Sequence, residues 1–86
     1  MNINQLISIV KNKLENNILF ENINIEDKTF LHKNHKSNQD GKFHLKLTIM
    51  SQELKKMNKI QSTKKIYSIL DKELEKYIHS IQILII

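Results

Sequence analysis

The feature that constrains the fold most is a strict alternation of apolar and polar side chains between residues 43 and 49. Successive side chains of a β-strand point to opposite faces of a sheet, so this pattern predicts a strand with one buried face. It is the clearest strand in the sequence. The apolar positions carry Phe43, Leu45, Leu47 and Ile49, and the polar positions between them carry His44, Lys46 and Thr48.

Two further elements precede this strand. Apolar residues at intervals of three and four predict a helix over residues 3 to 16, which Asn2 or Asn4 can cap. The segment ENINIED, residues 21–27, alternates and predicts a half-buried strand. Between residues 28 and 42 the sequence becomes a polar, basic loop, and loops of this length in small domains are usually functional or disordered.

Three elements follow the central strand. Ser51 is a plausible cap for a short helix through about Lys56, with Glu53 in its first turn. Asn58 and Gln61 have the spacing of a capping box, and the apolar period after them predicts a longer helix to about Lys76. The last nine residues, IHSIQILII, are too apolar and β-branched for an exposed tail and predict a buried strand.

This order predicts a single α+β domain over residues 1–86, with a three-stranded mixed sheet and helices on one face. The helical crossover makes the second and third strands parallel if they are neighbours. The αββααβ order is also that of type II KH domains, which clamp nucleic acid with a GxxG loop. The sequence contains no GxxG motif.

Composition excludes several functions. The chain has no Cys, so disulfides, thiolate ligands and a thiol nucleophile are excluded, and it has no glycine-rich phosphate loop. We therefore do not expect an enzyme. No window approaches the roughly 20 apolar residues of a membrane span, and the first residues do not have the pattern of a secretory signal. We expect a cytoplasmic protein, a monomer or weak homodimer.

The formal charge of +5 is carried entirely by Lys, and ten Asn accompany the absence of Arg, Ala and Pro. Nucleotide bias explains this skew more simply than selection for a nucleic-acid partner. Without Arg the chain also lacks the planar fork that reads guanine with two hydrogen bonds.

Three segments together resemble the BolA family: DKTFLHKNHK at residues 27–36, FHLKLTIMSQEL at residues 43–54 and KKIYSILDKELEKYIHSIQI at residues 64–83. They are similar to that family's loop after the first strand, its apolar strand with a following Ser, and its Arg-x-Ile-Tyr helix with an Ile-His-Ala-Leu strand. The resemblance covers nearly the whole chain in the right order. It implies an adaptor that binds a monothiol glutaredoxin and acts in iron–sulfur cluster assembly, transfer or iron sensing.

The resemblance also implies candidate site residues. From their spacing alone, His32 and His35 are interpreted as solvent-exposed polar residues of the loop. The resemblance makes His35, and after it His32, candidate ligands, because in the family this loop supplies a His or Cys to a 2Fe-2S cluster shared with the glutaredoxin. Thr63 stands at the helix position where the resemblance places a His implicated in holding that cluster, so ligation there is in doubt. His44 is expected opposite the core face as a surface or hydrogen-bonding residue, and His79 as a structural residue of the last strand.

Five lysines concentrate positive charge around the two predicted helices that follow the central strand. A solvated basic face is the simple interpretation. The functional alternative is a dock for an acidic partner or for DNA, since some BolA proteins are described as transcriptional regulators. The candidate residues for binding a partner or nucleic acid are these lysines together with Thr63: Lys55, Lys56, Lys59, Lys64, Lys65 and Thr63.

Overall fold

The computed structural model describes residues 1–29 and 42–86. His32 and His35, the loop histidines predicted as ligands, lie outside the described residues. The elements follow the predicted order of helix, strand, strand, helices and strand. They are α1 (Ile3–Asn17), β1 (Asn22–Asp27), β2 (Phe43–Met50), α2 (Gln52–Lys55), α3 (Lys59–Ile69), α4 (Asp71–Lys76) and β3 (Ile78–Ile85).

The three strands form one mixed sheet in the order β1-β2-β3. β1 pairs with β2 in antiparallel register, with Ile25 opposite Leu47. β2 pairs with β3 in parallel register, with Leu47 opposite Ile83, as the helical crossover between them requires. The prediction of a three-stranded mixed sheet backed by helices is therefore confirmed.

The core lies between one face of this sheet and the helices. Leu47 of the central strand and Ile66 of α3 are completely buried, and Leu6 of α1 packs in the same cluster. Alternate positions of the strands point the other way and carry mostly polar side chains, including exposed Asn24 and Gln82. The alternation that predicts β2 is thus the division between the helix-covered face and the opposite face of the sheet.

Side-chain caps fix where the helices begin. Asn2 caps α1, where its side chain accepts from Gln5 N–H and the Gln5 side chain accepts from Asn2 N–H in return. Ser51 caps α2, since its Oγ accepts from Leu54 N–H at 3.1 Å and donates to the Leu19 carbonyl at 2.7 Å. Asn58 caps α3 in the same way, by accepting from Gln61 N–H. The sequence predicted the caps at Ser51 and Asn58, and of its two candidates for α1, Asn2 and Asn4, the structure shows Asn2.

The single helix predicted through about Lys76 is wrong, because the chain turns at Leu70. There φ is −97° and ψ is 17°, outside the helical range, and α3 ends one residue earlier. Leu70 is fully buried, so the turn holds its side chain in the core. The new helix α4 begins with Asp71 and has Glu73 in its first turn, where the helix dipole favours negative charge.

An ion pair connects α4 back to α1. Lys13 Nζ lies 2.8 and 2.7 Å from the two carboxylate oxygens of Glu73. The Glu73 side chain is only 8% exposed, whereas that of Lys13 is 35% exposed. A buried carboxylate needs such a partner, so the pair fixes the position of α4 beside α1.

A matched pair of leucines tests the assignment of the core. Leu47→Ala should lower the free energy of unfolding by about 2–5 kcal/mol, because it opens a cavity under the central strand. Leu19→Ala removes the same atoms from a residue that is 79% exposed and should change it by less than about 0.5 kcal/mol. Urea unfolding followed by circular dichroism measures both values, and equal effects would contradict this core.

Candidate functional site

The loop with His32 and His35 lies outside the described residues, but the structure defines its two ends. Thr29 follows β1, and Lys42 precedes β2. The Lys28 N–H donates to the His44 carbonyl at 2.7 Å, and the His44 N–H donates to Thr29 Oγ1 at 3.2 Å. Both ends of the loop are therefore anchored at the end of the sheet where β2 begins.

Two histidines meet at this end of the sheet. His79 Nδ1 lies 3.3 Å from His44 Nε2, and the rings are perpendicular with centroids 4.7 Å apart. His44 is only 4% exposed, and its Nδ1 lies 2.7 Å from Ser80 Oγ. His79 is exposed. A buried imidazole thus contacts an exposed one. We call His44 and His79 together the imidazole pair.

The hydrogen bonds of the imidazole pair link the tautomers of the two rings. If His79 Nδ1 donates its proton to His44 Nε2, His44 Nδ1 donates to Ser80 Oγ, and His79 Nε2 carries the lone pair. Metal-ligating histidines are commonly held in this way, with the second ring nitrogen donating to a fixed acceptor. In this tautomer His79 is suited to ligate a metal through Nε2, and His44 orients it.

The imidazole pair is not a complete metal site. Across residues 1–29 and 42–86, no group of three or more His, Cys, Asp or Glu side chains is arranged to hold a metal ion. Neutral imidazole suits iron, zinc and copper, so the donor type fits an iron–sulfur centre. The remaining ligands would have to come from the loop or from a second molecule.

The predicted lysines and Thr63 lie elsewhere. Thr63 lines a groove with Leu84 and Ile85, near the end of β3 that pairs with Ile49. Ile49 lies five positions after His44 along β2, which is about 16 Å of strand. The structure therefore does not bring Thr63 to the imidazole pair or to the described ends of the loop.

Of the five predicted lysines, Lys55 and Lys59 line that groove. Lys55, Lys56, Lys59 and Lys64 are exposed. Lys65 is half-buried, and its Nζ lies 3.5 Å from Glu53 Oε2 as an ion pair without hydrogen-bond geometry. In the described part of the chain the other four form no ion pair, so their charge is available to a partner.

Sequence reasoning missed the imidazole pair. It placed His44 on the sheet face opposite the core as a surface or hydrogen-bonding residue, and it treated His79 only as a structural residue. The hydrogen bond is present, but His44 is buried. The register shifts between Phe43 and His44, and this irregularity sets His44 opposite Ser80, next to His79. A strand alternation alone does not reveal such a shift.

The helix-backed, three-stranded sheet defines the class of protein, a small α+β domain in which one helix and two strands are followed by three helices and a last strand. The family model described as BolA-like protein matches residues 14–86. The chain therefore belongs to the BolA-like family, which is generally non-enzymatic and whose members bind partner proteins.

Solved structures agree with this assignment. BolA1 from Arabidopsis thaliana is 26% identical, with a TM-score of 0.77 over 91% of this chain and 86% of that chain. The BolA domain of SufE1 from Arabidopsis thaliana is 22% identical, with a TM-score of 0.78 over 99% and 92% of the two chains. BolA1 from Mus musculus is 18% identical, with a TM-score of 0.71 over 90% and 60%.

A search of the curated proteins found no match. Within the two described ranges, no helix has the length and hydrophobicity needed to cross a bilayer.

Paired substitutions test the roles of the two histidines in the fold. His44→Ala should lower the free energy of unfolding by about 1–3 kcal/mol, because it removes a buried, hydrogen-bonded ring. His79→Ala should have a smaller effect, about 0–1 kcal/mol, because it removes an exposed ring and one long hydrogen bond of His44. Urea unfolding distinguishes the two, and a larger effect at His79 would contradict the assigned roles.

Proposed function

We propose that this chain is an adaptor that binds a monothiol glutaredoxin and contributes imidazole to an iron–sulfur cluster that the two proteins share. The observation that supports this proposal most directly is the imidazole pair. It offers one exposed, oriented nitrogen ligand, and it lies where the loop with His32 and His35 is anchored. An incomplete donor set is what an adaptor needs, because the partner completes it.

In this proposal His79 and His35 are the ligands from the adaptor, with His32 as the alternative in the loop. The glutaredoxin supplies a thiolate and bound glutathione. Replacing a thiolate by neutral imidazole removes negative charge from the cluster shell, which changes its reduction potential and its tendency to be released. Such a difference suits a protein that assembles, transfers or senses clusters.

The location of Thr63 alters what the family resemblance implied. A hydroxyl at that helix position raised doubt about cluster ligation. In the structure Thr63 lies at the other end of the sheet from the imidazole pair. The proposal therefore assigns Thr63 no ligand role, and its substitution provides a control.

Visible absorption spectra test the shared cluster. The chain is mixed with a monothiol glutaredoxin, glutathione, iron and sulfide under anaerobic conditions. We expect the spectrum to differ from that of the glutaredoxin alone, and His79→Ala to abolish most of the difference because it removes the exposed ligand. Thr63→Ala should retain it.

Two outcomes would contradict this proposal. A spectrum identical to that of glutaredoxin alone would exclude the shared cluster, and full retention in His79→Ala would exclude the assigned ligand. Calorimetry without iron measures whether each variant still binds the glutaredoxin in the absence of a cluster. This measurement distinguishes a variant that no longer binds the glutaredoxin from one that binds it but no longer ligates the cluster.

DNA binding is the second candidate function. Four exposed lysines in and between α2 and α3 favour it: Lys55, Lys56, Lys59 and Lys64. If all four contact phosphates, the logarithm of the affinity for duplex DNA should fall with the logarithm of salt concentration with a slope of about −3 to −4. Fluorescence anisotropy measures this slope. Weak binding that does not depend on salt would exclude this function.

A further inference from the structure

The outer edge of β3 is the feature on which this inference rests. β3 is the last strand of the sheet and pairs only with β2 among the described residues. Both main-chain groups of Ile86 bond toward β2: its N–H donates to the Ile49 carbonyl and its carbonyl accepts from Ser51 N–H. Main-chain groups alternate in direction along a strand, so those of Ile83 and Ile85 point away from β2.

In the residues that the structure describes, β3 itself carries none of the sequence features that keep edge strands from pairing. Natural proteins protect exposed edges with Lys, Pro, inward-pointing charges or bulges. Ile78–Ile85 contains no Lys, Asp, Glu or Pro, and the register irregularity lies at the far end of the strand, near Phe43 and His44. The half of β3 from Ile83 onward is therefore competent to accept another strand.

A groove runs beside this half of β3. Its volume is about 320 Å³, and residues of α2, of the turn after it and of α3 form its other wall. Leu54, Met57, Ser62 and Thr63 line that wall, and Lys55 and Lys59 add positive charge. The volume is at the low end of the roughly 300–1,000 Å³ of small-ligand pockets. It therefore fits a few side chains of an extended segment rather than a folded surface.

The charge of the groove identifies the occupant. None of the described residues that line it is an Asp or Glu, and the carboxylate of Glu53 in α2 lies against Lys65. Lys55 and Lys59 have no ion-pair partner among the residues that the structure describes. A segment with carboxylates would supply one. A second copy of β3 would not, because that strand contains no acidic residue.

We propose that the groove beside β3 binds an extended, acidic peptide segment of a partner protein, which adds to the sheet as a fourth strand. Main-chain hydrogen bonds to Ile83 and Ile85 hold the segment, apolar side chains enter the groove, and carboxylates contact Lys55 and Lys59. This surface is at the other end of the sheet from the imidazole pair, and the proposal does not depend on the shared cluster.

Amide hydrogen exchange, followed by nuclear magnetic resonance, tests the pairing directly. The probe is an N-acetylated peptide of alternating valine and threonine, matched in length to β3, with two glutamates at each end. At saturation the amides of Ile83 and Ile85 should exchange at least about tenfold more slowly, whereas that of Leu84, which already faces β2, should change little. A control peptide with proline in place of the central valine should give no protection.

Charge-reversed variants test the recognition of carboxylates. The double variant Lys55→Glu and Lys59→Glu should weaken binding of the probe by roughly tenfold. Lys72→Glu with Lys76→Glu makes the same charge change on exposed residues of α4 and should have little effect. Unchanged exchange in backbone amides of β2 shows that each variant remains folded.

Three results would overturn the proposal. One is binding of the probe without new protection at Ile83 and Ile85. Another is protection of these amides that appears when the protein concentration is raised without the probe, which would assign the edge to a second copy of this chain. The third is displacement of the probe by a DNA duplex that itself protects neither amide, which would assign the lysines to phosphate binding.

Discussion

The fold depends on the burial of the central strand. β2 has neighbours on both sides, and its residues Leu45, Leu47 and Ile49 are almost completely removed from solvent. Because β2 and β3 are parallel, the chain must cross from one end of the sheet to the other between them, and α2, α3 and α4 make that crossing. The same constraint therefore sets both the core and the position of every helix after β2.

The parallel pair also separates two chemically different ends. Where β2 and β3 begin, the sheet carries the imidazole pair, with His79 exposed, and the anchors of the loop. Where they end, it carries a lysine-rimmed apolar groove beside an open strand edge. Neutral nitrogen ligands suit a metal centre, whereas ammonium groups repel metal cations and attract carboxylates. The two ends of the sheet are thus suited to different ligands.

Local signals in the sequence predicted much of the fold. Asn2, Ser51 and Asn58 were identified as caps because their types and spacing carry the capping chemistry themselves. The break at Leu70 was not predicted, since a buried leucine in an apolar period looks the same in one helix as between two. Nor was the imidazole pair, because it joins residues 35 apart through a register shift that leaves no mark in either strand.

The ion pair between Lys13 and Glu73 constrains how this sequence can change. It joins residues 60 positions apart, and Lys13 precedes the part of the chain that matches the family model. Replacing Lys13 alone leaves the buried carboxylate of Glu73 without its ion-pair partner. Replacing Glu73 alone leaves the half-buried ammonium group of Lys13 without its partner. Substitutions at these two positions are therefore coupled. The pair can be replaced when two apolar residues of similar volume are introduced together.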